Sequence, residues 1–302
     1  MRVLFLNHKQ SRCGIYSYGN RLWNIWKKSS ENIIRYKEIS SLEEYNNIIF
    51  EYDIIIYNYH CMTMPWLGSD NINTNVKNIG IWHEGPINIQ FTRVIDVSNR
   101  IPRPIFENIP AMIENTNQEI INFLNYSKEE VPVIGSFGFG FDSKGFDKII
   151  TNVCQTFDKA IIKLVITVSE FGDADGSIVR RINQACCNLV TNPNIELKII
   201  NDYLSDNDIL YFLNKNSINV FLYKEENNRG LSSVIDFAFS VHKPICISNS
   251  YMFRHIYSDN ISINNKTIKE CITDDLDYIN NFKQSSSHNS SIEYINSIIR
   301  EL

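Results

Sequence analysis

Short runs rich in Val, Ile and Tyr recur along the chain, and between them lie longer segments in which apolar residues return every three or four positions. Runs of the first kind have the length of strands and the second kind has the helical period, so their alternation predicts a parallel sheet covered by helices. In the first half the pattern predicts strands over 3–7, 34–38, 53–59 and 78–82, with helices near 15–28 and 42–50. The apolar runs show no strict alternation, as expected of strands buried on both faces. The second half repeats the scheme, with strands over 133–137, 162–168, 196–200, 219–223 and 244–248 and helices near 145–156, 176–190, 206–214 and 232–241.

Two Rossmann-like halves follow, predicted over 1–125 and 126–284. Between them "IPRPIFENIPAMIENTNQ" holds three of the eight prolines, which break regular structure and suit a connection between domains. "QSSSHNSS" at 284–291 reads as a flexible polar link to a final helix over 292–302, the two making a C-terminal helical segment over 285–302.

With 302 residues, 43% of them hydrophobic and 21% charged, the chain can bury two cores and is not of disordered composition. The balance of 29 basic against 34 acidic residues, a net charge of -5, argues against a broad nucleic-acid surface. The apolar run in "MRVLFLNHKQ" is too short for a secretory h-region or a membrane span, so a cytoplasmic location is expected. Helix-borne "RLWNIWKK" offers aromatic and basic residues either to an anionic membrane surface, as a peripheral contact, or to the core and the last helical turn. The seven cysteines contain no C-x-x-C pair, so neither a zinc site nor a disulfide framework is expected.

In open parallel sheets ligands lie beyond the carboxyl ends of strands, and several stretches sit there. Gly14 in "NHKQSRCGIYSYG" precedes a helix, where it either lets a phosphate or sugar hydroxyl approach the backbone or makes a plain tight turn. In "GIWHEGP", His83 and Glu84 end a strand and pair a potential base with a carboxylate, the alternative being a buried, hydrogen-bonded histidine. His60 follows another strand in the same way.

"VPVIGSFGFGFDSKGFDKII" has the look of a phosphate loop without its spacing. Lys144 lies four residues past Gly140 and precedes Gly145, which fails the Walker pattern, and Gly138 and Gly140 are not followed by the third glycine of the dinucleotide fingerprint.

In "YKEENNRGLSSVIDFAFSVHKPICIS", Gly230, Leu231, Ser232 and Ser233 would open a helix whose free N–H groups suit a diphosphate, with Asp236 on the same face to take ribose hydroxyls. Ser232 as a cap and Asp236 complementing the helix dipole is the structural alternative. Asp173 and Asp175 in "FGDADG" form a D-x-D pair that is better read as a solvated helix start than as a metal site.

From "VIGSFGFGFDSKGFDKII" through "VHKPICIS" the second half resembles the nucleotide-sugar domain of GT-B glycosyltransferases, in particular the retaining enzymes of family 4. The resemblance rests on Lys144-Gly145 at a helix after a glycine-rich turn, on the acidic loop from Glu225 to Gly230, and on the "HKPICIS" strand. It implies an α/β chain of two Rossmann-like domains facing a central cleft, which moves a sugar from a nucleoside diphosphate, UDP or GDP, with retention. No bound metal or other cofactor is expected, because helix N–H groups and Lys144 can meet the diphosphate charge.

Under this resemblance Lys144 neutralises the departing diphosphate, Gly230 to Ser233 hold it, Asp236 takes the ribose, Glu225 or Glu226 reads the donor sugar, and His83 lies beside that sugar. Phe137 and Gly138 stand where the family usually has an arginine, which leaves Arg229 or Arg254 to act with Lys144. Asp236 takes the place of the second family glutamate. The acceptor implied is a glycan, a lipid-linked sugar, a protein, a small molecule or nucleic acid, and a non-catalytic sugar-nucleotide binding or scaffold protein is the alternative function.

Overall fold

Long apolar runs that lie buried on both faces need a helical layer on each side, and the computed structural model has that organisation twice. It describes residues 1–48, 51–98, 102–227, 229–274 and 276–302. The end of the helix expected over 42–50, the first residue of the proline-rich stretch and Asn228 of the acidic loop lie outside the described residues. The chain divides into two units, one of Met1–Pro104, Asn228–Ser233 and Gln284–Leu302, the other of Ile105–Asn227 and Val234–Lys283.

The first unit carries strands β1 (Arg2–His8), β2 (Ile33–Ile39), β3 (Ile54–Tyr59), β4 (Lys77–Trp82) and β5 (Arg93–Asp96), all parallel, in the order β2-β1-β3-β4-β5. The topological switch therefore falls between β1 and β3, which directs attention to the loops that follow them. Helix α1 (Gly14–Trp26) covers one face and α2 (Leu42–Asn46) lies between β2 and β3 in sequence. Successive side chains of β1 serve opposite faces: Val3 and Phe5 pack with Leu22, Ile25 and Trp26, whereas Leu4 and Leu6 pack with Tyr45, Tyr57 and Phe91. Strand β5, four residues with a single buried side chain, carries too weak a pattern to be predicted from sequence.

The second unit holds α3 (Gln118–Asn125), β6 (Val133–Phe139), α4 (Phe146–Thr156), β7 (Ala160–Thr167), α5 (Ser177–Asn188), β8 (Ile195–Ile200), α6 (Asp206–Asn214), β9 (Ile218–Phe221), α7 (Val234–Ser240), β10 (Ile245–Ile247), α8 (Ile268–Thr273) and most of α9 (Asp277–Ser285). Its parallel sheet runs β10-β9-β6-β7-β8, so its switch falls between β6 and β9. Over its described residues the proline-rich stretch has no regular structure before α3 yet is tied down. The Phe106 N–H donates to Ser240 Oγ at 2.8 Å and the Glu114 N–H to Asp208 Oδ1 at 2.9 Å.

The flexible link expected at 284–291 is not one. It contains the end of α9, the cap of α10 (His288–Arg300) and that helix's first turn. Its serines are polar because they are used inside: Ser287 accepts from the Ser290 N–H, Ser286 Oγ from the Arg103 N–H, and fully buried Ser291 takes the Trp26 indole N–H at 2.9 Å. Both tryptophans of "RLWNIWKK" are accounted for by packing, Trp26 against Phe5 and Trp23 stacked on Tyr36. Among the described residues no helix is long and apolar enough to cross a membrane.

Candidate functional site

Three histidines stand at the carboxyl ends of adjacent strands in the first unit: His8 closes β1, His60 follows β3 and His83 follows β4. All three are held below the ordinary imidazole range. Burial lowers His83 to about 3, aided by Arg103, His60 and His8, and lowers His8 to about 4, aided by His60 and opposed by Glu38. His60 is lowered by burial, with Glu84 acting the other way. These groups are therefore neutral at physiological pH and can accept or donate hydrogen bonds without carrying charge.

His83 and Glu84, adjacent in sequence, do different things. The His83 Nε2 lies 2.7 Å from Asn58 Oδ1 and its ring meets Tyr18 edge-on at 5.0 Å. Glu84 turns instead to 229–230: its Oε2 accepts the Gly230 N–H at 2.5 Å and lies 3.4 Å from Arg229 Nε, while its Oε1 is 3.9 Å from His60 Nε2. Gly230 is required here, because a Cβ would stand 2.9 Å from the His83 carbonyl oxygen, a backbone atom that cannot swing aside. Gly14 opens α1, whose first turn has no side-chain cap, and a Cβ on it would be in ordinary contact with Ser233 Oγ at 3.7 Å.

The helix expected from Ser232 begins two residues later, at Val234, so Gly230, Leu231, Ser232 and Ser233 form an irregular approach to it. Ser232 is buried and Leu231 and Ser233 are half-buried. Asp236 lies in the first turn of α7 and is fully buried.

In the second unit the switch between β6 and β9 brings Lys144 to Tyr223, with Nζ 4.1 Å from the ring centroid. Lys144 ends a 3-10 turn, Asp142–Lys144, and Gly145 after it has φ 65, with the Leu222 carbonyl oxygen 1.9 Å from where a Cβ would be. Only glycine fits, and the close approach fixes the lysine turn against the end of β9. The Lys224 N–H donates to the Ser143 carbonyl at 2.8 Å, a second tie between the same loops.

Glu225 accepts the Tyr251 N–H at 3.1 Å, and Arg254 lies over the Tyr251 ring at 4.0 Å while donating to the Tyr251 carbonyl. Glu225 and Arg254 thus meet through a tyrosine the sequence reading passed over. Glu226 is half-buried. Asp173 accepts from the Ile178 and Val179 N–H groups and Asp175 from the Ser177 N–H, so both serve the start of α5. Among the described residues no group of three or more His, Cys, Asp or Glu is arranged to hold a metal.

Sequence reasoning also missed Asn58 and Tyr223. The available signal for Asn58 was a lone amide inside the apolar run "IIIYNY", since a buried amide must be satisfied by specific partners. Tyr223 carried none, because its meeting with Lys144 depends on β6 and β9 being neighbours.

No protein-family model and no curated protein sequence matches the chain. Solved structures do. Sucrose-phosphate synthase from Thermosynechococcus elongatus aligns with a TM-score of 0.71 at 10% identity, over 100% of this chain and 98% of that one. A glycosyltransferase from Rickettsia africae gives 0.65 at 14% identity, over 99% and 98%. HepE of Anabaena, solved in complex with UDP-glucose, gives 0.61 at 13% identity over 100% of both chains. With its two parallel five-stranded sheets, the chain has the α/β fold of the GT-B glycosyltransferases.

Proposed function

We propose that this protein is a glycosyltransferase of the GT-B family 4 kind, which moves a sugar from a nucleoside diphosphate to an acceptor with retention and without a bound metal. The observation that carries the reading is the Glu84 contact: the Gly230 N–H and Arg229 already hold a carboxylate oxygen, the arrangement a phosphate oxygen would take. Lys144 is assigned to the same diphosphate, where its charge would stabilise the leaving group as the sugar bond breaks. His83, neutral at the end of β4, is assigned to the transferred sugar, and Asp236 to the ribose. HepE, with UDP-glucose bound over the same fold, makes UDP the first nucleotide to try.

The test is the thermal midpoint with UDP and UDP-glucose, with and without EDTA. Ligand at about a hundred times its dissociation constant adds roughly 2.7 kcal/mol to stability if it binds only the folded chain. An EDTA-insensitive rise that Lys144→Ala removes is expected, together with slow UDP release from UDP-glucose. No shift with UDP, GDP, ADP or their sugars would overturn the reading.

A further inference from the structure

Asn7 and Asn58 lie toward the carboxyl ends of β1 and β3, neighbours in the first sheet, and both are fully buried. Their partners fix which way each amide faces. Asn58 Nδ2 stands 2.8 Å from the Ile15 carbonyl oxygen, which can only accept, so the atom there must be the amide nitrogen. Its other hydrogen goes to Asn7 Oδ1 at 2.9 Å. Asn7 is fixed in turn, because its Oδ1 also accepts the His8 N–H at 3.0 Å, and its Nδ2 donates to the Tyr16 carbonyl at 3.0 Å and the Tyr36 hydroxyl at 3.1 Å. Asn58 Oδ1 is then the atom facing His83 Nε2 at 2.7 Å, and an amide oxygen only accepts. The hydrogen must sit on Nε2.

We propose that Asn58, braced by Asn7, is a positioning residue for sugar transfer: it holds His83 as the neutral Nε2–H tautomer and leaves the Nδ1 lone pair to accept from a hydroxyl of the sugar ligand. The proposal rests on the role given to His83 above. The groups around the ring act in the same direction. Arg103, stacked on the Tyr18 ring that His83 meets edge-on, His60 after β3 and His8 at the end of β1 each disfavour an imidazolium, and the Glu84 carboxylate is engaged by Gly230 and Arg229. Nδ1 is thereby a hydrogen-bond acceptor or base rather than a cation.

Long-range proton–nitrogen spectra of protein labelled with nitrogen-15 at histidine distinguish Nε2–H, Nδ1–H and imidazolium rings, and His83→Ala identifies the His83 signals by their loss. The expected result is the Nε2–H pattern, unchanged from about pH 8 to about pH 5. An Nδ1–H pattern, or an imidazolium within that range, overturns the proposal without any variant of Asn58. Asn58→Asp, close in shape, puts a negative charge beside Nε2. Its His83 signals are expected to titrate within the range, and UDP release from UDP-glucose to fall on the order of tenfold at neutral pH, below the ~100- to 10,000-fold that proton transfer itself can supply. The pH profile should shift while UDP affinity holds. A changed protonation state with an unchanged pH profile refutes the positioning role. Absence of UDP release from the unaltered protein, with the Nε2–H pattern in place, counts against the transferase reading and leaves the amide pair's hold on His83 supported.

Discussion

Lys163 shows at the scale of one residue how much a buried group depends on its surroundings. It is fully buried within β7, donates to the Leu124 carbonyl at 2.9 Å and lies near the rings of Phe123 and Phe212. The Leu124 carbonyl belongs to the last turn of α3, where a cation is favoured by the helix dipole. Burial nevertheless lowers the amine from 10.5 to about 8. Between about pH 8 and pH 10.5 the unfolded chain holds a proton there that the folded chain has released, so stability rises with pH through that window, by roughly 3 kcal/mol over its length. Lys163→Met removes the titration. Urea midpoints of the two proteins, compared across the window, are expected to converge as pH rises, and parallel profiles would refute the assignment. Nothing in "AIIKLVIT" distinguishes this lysine from one whose head reaches water, because its burial is decided by the α3 and α6 aromatics that cover it.

At the scale of elements, the strands, and those helices with a full apolar stripe, were legible from periodicity, because a central parallel strand must be apolar throughout and a covering helix must show one face. Elements at the margins were not. β5 is too short, α3, α8 and α9 have stripes too brief to stand out, and α10 shows an apolar stripe while the serine-rich segment leading into it has the composition of a linker. Serine and asparagine read as solvent-facing until their partners are known. Here Ser29 and Asn32 both donate to Asn296 Oδ1, and Ile295, Ile298 and Ile299 complete the core beneath α1. A chain ending at residue 285 would expose that core face. Expressed in this form, the protein is expected to lose the cooperative thermal unfolding of its first unit and to aggregate, whereas Ser291→Ala, which leaves one buried indole N–H unmet, should cost about 1–3 kcal/mol. Calorimetry of both variants checks this, and a normal transition in the shortened chain would show α10 to be dispensable.

For the whole molecule, the depressed histidines predict acid sensitivity well before the carboxylates titrate. His8 and His83 are protonated in the unfolded chain below about pH 6.5 but stay neutral when folded until about 4 and about 3, so stability is complete above 6.5 and falls as the solution is acidified. For His8 alone the full loss is roughly 3 kcal/mol. Urea midpoints should drop between pH 7 and pH 5. His8→Asn, whose side-chain oxygen can replace Nδ1 as acceptor for the Gln10 N–H, should lessen that drop, and an equal drop in the variant would refute the account. By itself the sequence determined the alternation of elements, the doubling of the α/β pattern and the strand ends at which polar residues collect, since these follow from local periodicity and from the need to bury apolar runs. Strand order was left to the tertiary structure, and with it came pairings within each unit that local pattern does not show: Asn58 under His83 and Glu84 on Gly230 in the first, Lys144 over Tyr223 in the second. Each joins residues apart in the chain through side chains whose types have many possible uses, and the packing of β3 beside β4, of residues 229–230 at the end of β4, and of β6 beside β9 selects one of them.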